Sequence, residues 1–189
     1  MHDEHIAVHL GRDYRDVANA STLLWRLEQE GVAVGCRWER LAQLASERIG
    51  DHGLAFADAH YALALSGAQQ LAAAEGFVRS MRTAATTRQG LYASVAAEIG
   101  VPLAEGIVAL GSGLPMTAVE KRLPIAPAFV RLGGSHAQRD IFRQVLIEAA
   151  LQCDEPLARV LLDHCLSVRP GNRYARQQLS RLRNTSVAA

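Results

Sequence analysis

The stretch RDIFRQVLIEAALQCDEPLARVLLDHCLSVRP, residues 139–170, decides the fold of this chain. Its apolar residues recur three and four positions apart in two successive runs, which predicts two amphipathic helices joined by a short turn. Pro156 falls just inside the second helix, where the missing N–H of proline costs no hydrogen bond. A hairpin of two such helices cannot bury its apolar face alone, so it must stack on neighbouring hairpins.

The same stretch resembles a tetratricopeptide repeat when Pro170 is taken as the proline that closes the repeat. The apolar and small positions of the repeat are then filled by Phe142, Val145, Leu146, Ala149, Ala158, Leu162 and Cys165. Only Ala158 and Pro170 match by identity, so the resemblance depends on residue size and polarity. It implies an all-α, tetratricopeptide-like repeat array, that is, an α-solenoid of antiparallel helix hairpins.

Helical periodicity continues along the rest of the 189 residues, and alanine and leucine, both strong helix formers, are abundant. We predict a single domain over 1–189, with ten helices in about five antiparallel pairs. Gly100 is expected to close the fifth helix, and Pro102 to begin the sixth. Residues 1–13 are expected to be a frayed remnant of a preceding repeat, and 184–189 a disordered tail.

The bulk composition limits the classes of function. The formal charge is +1, so no global field favours nucleic acid or a membrane. Nineteen of the 20 basic residues are arginine, a bias that we attribute, with the excess of alanine, to a GC-rich, bacterial-like genome. No secretion signal opens the chain, and no apolar run approaches the ~18 residues that span a bilayer. Cys36, Cys153 and Cys165 are expected to be buried free thiols, which together predict a cytoplasmic protein.

Three segments resemble the tetratricopeptide repeat protein 38 family: NASTLLWRLE at 19–28, leading to GVAVGCRW at 31–38; FADAHYALA at 56–64; and GGSHAQRD at 133–140. One departure is Ala57, where family members usually carry Asn. The resemblance implies an α-helical repeat protein of poorly defined role, with no reaction to carry over.

The resemblance also implies that the chain lacks the N-terminal half of the family's array, because residues 3–6 resemble the tail of an earlier repeat. An array that opens in mid-stack exposes a surface that another molecule should cover. The hairpin 14–50 is therefore expected to form a homodimer or to pack on another chain. The alternative is that the start of the chain is an artefact.

GGSHAQRD is the strongest local signal. Ser135 can cap the following helix, and Gln138 three residues later completes a capping box. Capping does not account for His136, Arg139 and Asp140. A helix N-terminus beside His136 and Arg139 could hold an anion, although capping and packing alone are the favoured interpretation.

Asp58 and His60 are the other candidate residues for binding a ligand or partner. Residues two apart on a helix do not face each other, which argues against an Asp–His dyad, so His60 is expected to satisfy a hydrogen bond at a helix–helix seam. An array could still bring His60 and His136 together. His2, His5 and His9 have metal-ligand spacing but lie at the expected frayed terminus, so no metal and no cofactor is expected.

The favoured hypothesis is a non-catalytic interaction or scaffold module that binds a peptide or protein partner in its concave groove. The alternative is an enzyme, or a protein that binds a small molecule or anion, with His60, His136, Arg139 and Asp140 in one pocket. A degenerate paralogue without a ligand is the third possibility.

Overall fold

The computed structural model describes residues 13–187, and this part of the chain folds into ten α-helices without a β-strand. The helices are α1 (Tyr14–Gln29), α2 (Arg37–Ser46), α3 (Ala55–Gly67), α4 (Leu71–Thr87), α5 (Leu91–Val95), α6 (Val101–Gly111), α7 (Pro115–Arg122), α8 (His136–Cys153), α9 (Glu155–Val168) and α10 (Arg173–Val187). A π-helical segment (Ala96–Gly100) joins α5 to α6, and a 3-10 helix (Ala126–Leu132) precedes α8. The prediction of an all-α protein is confirmed.

Helix α3 lies at the centre of the fold. Its residues 55–66 are all buried, although most surface helices bury only one face. It packs against α1, α2, α4 and α6 at once. Five of those residues are alanine, which lets the surrounding helices approach closely: Ala55, Ala57, Ala59, Ala62 and Ala64.

Glycines on the neighbouring segments are also needed for close packing on α3. A Cβ added at Gly100 would lie 2.9 Å from the Ala55 Cβ, and one at Gly134 would lie 2.7 Å from the Phe56 ring. The prediction that Gly100 closes a helix is therefore wrong. The chain stays helical from Leu91 to Gly111, and the π-helical segment accommodates the lost N–H of Pro102.

The last three helices follow the predicted frame. Helix α8 packs on α9, and α9 packs on α10. Asp154 caps α9 through a bond from the Leu157 N–H, and Pro156 lies in the first turn as predicted. The seven apolar and small positions assigned to the repeat are all buried, namely Phe142, Val145, Leu146, Ala149, Ala158, Leu162 and Cys165.

The two ends of the described region differ from the predicted boundaries. Helix α10 continues to Val187 and so includes part of the predicted tail 184–189, of which 188–189 lie outside the described residues. Of the predicted remnant 1–13, only Asp13 falls inside the described range. The three histidines considered as metal ligands, at positions 2, 5 and 9, lie outside the described residues.

The first and later helices also contact each other directly. The Arg26 guanidinium of α1 donates to the Ala137 carbonyl, at 3.2 Å, and to Asp140 Oδ2, at 3.3 Å, both on α8. In a solenoid each hairpin contacts only its neighbours in sequence. The other main helix contacts join helices that are near neighbours along the chain, so the repeat array stays a prediction for the described residues.

Two expectations from composition, on membrane-spanning segments and on buried cysteines, differ from the structure. The helix 91–111 is long and apolar enough to cross a membrane, contrary to the prediction that no segment would be, but 61% of its most apolar window is buried in the protein. This is what the core helix of a soluble protein would show. The expectation of three buried thiols is wrong for Cys36, which is exposed at the N-cap position of α2; Cys153 is half-buried, and Cys165 is buried.

The neighbouring glycines before α8 provide a test of this packing. Both Gly133 and Gly134 have positive φ, +83° and +70°, but only Gly134 has a neighbour, the Phe56 ring, within 4 Å of an added Cβ. Both substitutions should cost about 1–3 kcal/mol of backbone strain, and Gly134→Ala should cost about 1–3 kcal/mol more from the steric clash. Urea unfolding measures both variants. Equal losses would contradict the packing of Gly134 on α3.

Candidate functional site

A groove runs between α1, α3, α6 and α8, with a volume of about 250 Å³. We call it the α1–α8 groove. Its apolar lining residues are Trp25, Leu63, Ile107, Leu110 and Val145, with Gly67 and Gly111 beside them. Its polar lining residues are Glu28, Gln29, Ser66, Gln69, Glu148 and Gln152. Apolar and polar side chains thus line the groove in about equal number.

Two polar atoms in the wall of this groove lack a hydrogen-bond partner. Trp25 Nε1 and Ser66 Oγ are buried and unpaired among the residues that the structure describes. The whole Ser66 residue is only 5% exposed. A buried polar atom without a partner costs about 1–3 kcal/mol, so such atoms call for an explanation, and a bound ligand supplies one.

Gln69, at the same groove, has a strained backbone. Its φ is +57°, in the left-handed region that non-glycine residues rarely adopt. The conformation ends α3, since the Gln70 N–H returns to the Leu65 carbonyl at 3.0 Å. Glycine would fit this position without strain, yet the chain places a glutamine side chain at the groove.

The groove is acidic. Glu28 accepts a hydrogen bond from Trp38 Nε1 at 2.9 Å, and Glu148 accepts one from Gln152 Nε2 at 2.9 Å. Each carboxylate has further lone pairs to offer. Among the described residues that line the groove, none is lysine, arginine or histidine. Its two formal negative charges therefore have no positive partner in the lining.

The predicted residues at the start of α8 serve the fold. Ser135 and Gln138 form the predicted capping box, with the Ser135 N–H bonded to Gln138 Oε1 at 2.9 Å. Arg139 donates to the carbonyls of Gly133 and Gly134. Asp140 accepts from Arg26 and from Gln144, whereas His136 is exposed. This segment fastens α8 to α1, and its charged groups do not line the α1–α8 groove.

Asp58 belongs to a buried polar chain at the other end of α3. Asp58 Oδ2 accepts from the Tyr92 hydroxyl at 2.8 Å, and Asp58 Oδ1 lies 3.3 Å from His52 Nδ1. His52 Nε2 lies 2.8 Å from Ser80 Oγ. Asp58 thus has a histidine partner, but it is His52, which the sequence analysis missed, rather than His60.

The order Ser80, His52, Asp58 has the connectivity of a hydrolytic triad, but the surroundings do not match that chemistry. A cavity of about 330 Å³ is lined by His52 and Asp58 and does not include Ser80. The Arg88 guanidinium holds the loop before α3 by donating to the carbonyls of Gly50, Asp51 and His52, each at 2.8 Å. The row of polar contacts from Ser80 through His52 and Asp58 to Tyr92 therefore joins this loop to α4 and α5.

Two further ionisable groups are fully buried without forming a site. His60 Nδ1 lies 2.8 Å from the Phe56 carbonyl of its own helix, and burial lowers the pKa of His60 to about 4. Burial lowers the pKa of Arg122 to about 9, and its guanidinium donates to the Phe142 carbonyl. Neither of the two cavities is lined by His60, Arg122 or His136.

The comparisons with known proteins do not identify the chain. No protein-family model matches it, and no solved structure matches it. Within residues 13–187, no group of three or more histidine, cysteine or acidic side chains is placed to hold a metal ion.

The residues of the groove were not among those predicted from the sequence. Trp25 and Glu28 lie three apart on α1, and Glu148 and Gln152 lie four apart on α8, so each pair shares a helix face. That spacing is visible in the sequence, but nothing in it indicates that the two faces meet. His52, in the turn before a helix rich in alanine, carried no signal at all.

The burial of His60 predicts acid sensitivity. The unfolded state binds a proton near pH 6.5, while the folded state does not until about pH 4, so stability should fall by up to about 3 kcal/mol between these values. His60→Phe should reduce this loss, because the phenyl ring fills the same space without titrating. Urea unfolding at pH 7 and pH 4.5 tests it, with His136→Gln at the exposed histidine as control. An unchanged loss in His60→Phe would contradict the assignment.

Proposed function

We propose that this protein is a non-catalytic, tetratricopeptide-like interaction module that binds a peptide segment of a protein partner in the α1–α8 groove. The observation that carries the proposal is the pair of buried, unpaired polar atoms, Trp25 Nε1 and Ser66 Oγ, on residues of a groove with mixed apolar and polar lining. Neither atom has a partner among the described residues, and a bound segment that pairs with them would offset the cost of their burial.

The chemistry of the groove favours a peptide. The side-chain amides of Gln29, Gln69 and Gln152 can each donate and accept hydrogen bonds. Peptide groups need both donors and acceptors when they leave water, and the apolar lining residues offer room for alternate side chains. The burial of all seven positions of the repeat frame in α8 and α9 supports the tetratricopeptide-like assignment for these helices.

The alternative of a pocket built from His60, His136, Arg139 and Asp140 has less support. His60 is buried against Phe56 and Phe142, while Arg139 and Asp140 bond to other groups of the protein. These side chains are used at helix seams and caps. That outcome favours the interaction module over an enzyme or an anion-binding protein.

Ser66 offers a test that separates binding from stability. Ser66→Ala removes an unpaired buried hydroxyl, so the free energy of unfolding of the free protein should be unchanged or higher by about 1 kcal/mol. Peptides selected from a random phage-displayed library should bind the variant about three- to tenfold more weakly, the equivalent of one lost hydrogen bond. Isothermal titration calorimetry and thermal unfolding measure the two effects.

Ser21→Ala is the matched control. Ser21 is equally buried, but its hydroxyl donates to the Val17 carbonyl at 2.7 Å and lies outside the groove. This variant should lose about 1 kcal/mol of stability and keep its peptide affinity. A library that yields no binding peptide, or peptides that bind Ser66→Ala as tightly as the parent chain, would contradict the proposal.

Dimerisation through the hairpin 14–50 remains part of the proposal for partners. Val32 and Ile49 are large apolar residues on this hairpin, and they are 46% and 48% exposed. Replacing both with glutamate should convert a dimer into a monomer in light scattering at high protein concentration. A parent chain that is already monomeric under those conditions would contradict dimerisation.

A cytoplasmic location fits this proposal, which needs no secretion or membrane insertion.

A further inference from the structure

We infer that the α1–α8 groove selects segments that carry a lysine or arginine, and that it holds this basic side chain between Glu28 and Glu148. The inference depends on the proposed function, because the occupant is the same bound peptide. It adds the chemical class of the residue that the groove recognises.

The charges of the groove come from two opposed helices. Glu28 belongs to α1, where it shares a face with Trp25, and Glu148 belongs to α8, where it shares a face with Gln152. Both carboxylates line the same groove, and no basic side chain lines it among the described residues. A cation entering between α1 and α8 would therefore meet two negative charges and no positive one.

The unpaired hydroxyl of Ser66 distinguishes the α1–α8 groove from a simple cluster of acidic side chains. Ser66 lines the groove and is 5% exposed, and its hydroxyl has no partner among the described residues. A Cβ at Gly111 would lie 3.2 Å from the Ser66 Cβ, so a glycine there lets α6 pack closely against Ser66. The hydroxyl oxygen can accept from an ammonium or guanidinium group, as the carboxylates can.

The remaining polar groups suit the peptide backbone. Trp25 Nε1 is a donor only, so it cannot pair with a cation but can donate to a peptide carbonyl. The indole ring can also pack against the apolar stem of a lysine or arginine. Acceptors for the basic head group and donors for the backbone thus lie in one groove, which fits a basic peptide better than a free cation.

The test uses the peptides selected for the proposed function. Each is resynthesised with arginine replaced by citrulline, or lysine replaced by acetyl-lysine, so that the charge is lost and the shape is nearly kept. We expect the parent peptides to be enriched in basic residues, and the neutral versions to bind at least about tenfold more weakly. Affinity for the parent peptides should also fall between about 0.05 and 0.5 M NaCl, because salt screens charge pairs.

Substitutions in the protein test which carboxylates hold the basic side chain of the peptide. Glu148→Gln and Glu28→Gln should weaken the basic peptide about fivefold or more and leave the neutral peptide unchanged. Glu120→Gln, at an exposed glutamate of α7 outside the groove, is the matched control and should change neither. Thermal unfolding checks that each variant is folded, and arginine amide alone tests whether a free cation suffices.

The outcomes separate the two proposals. Peptides that bind in the groove but tolerate loss of their charge, or that bind Glu148→Gln and Glu28→Gln as tightly as the parent chain, would overturn this inference and leave the proposed function standing. A library without any binder would overturn both. Arginine amide that binds as tightly as the selected peptides would overturn the peptide as the occupant.

Discussion

The burial of α3 on every side is the constraint on which the rest of the structure depends. A helix can be surrounded in this way only if its neighbours approach closely, and the alanines of α3 with Gly100 and Gly134 provide the space. Close approach also brings α1 to α8, where Arg26 reaches Asp140. The segment 133–140 therefore supports this packing: Gly134 lies over Phe56, and the polar groups of the segment hold α8 against α1.

The two ends of α3 have different chemistry for a related reason. Near its N-terminus, Asp58 is buried and paired with Tyr92, and it lies close to His52, whose φ of +41° is in the left-handed region. Near its C-terminus, Ser66 is equally buried but unpaired, and Gln69 is held in a left-handed conformation. Unpaired groups and local strain lower the stability of a folded chain, and they persist where function uses them.

The sequence predicted the local structure well and the assembly less well. Ten helices, the capping box of Ser135 and the buried positions of α8 and α9 all follow from short-range spacing and capping chemistry. The stop at Gly100 was wrong because a glycine can serve close packing as well as helix termination. The groove could not be predicted, since Trp25, Ser66 and Glu148 meet only through the packing of α1, α3 and α8. His52 and Asp58 likewise come together through a loop that Arg88 holds in place.

Native-state hydrogen exchange, read residue by residue by NMR, tests the central role of α3 most directly. If the helices close around α3, its amides at 57–66 should exchange most slowly of all, with a protection free energy equal to that of global unfolding. Helices α9 and α10, which pack only in sequence, should open earlier and at a lower free energy. Protection that is uniform along the chain, or that is higher in α9 and α10 than in α3, would show that the hairpins stack independently and would contradict this account.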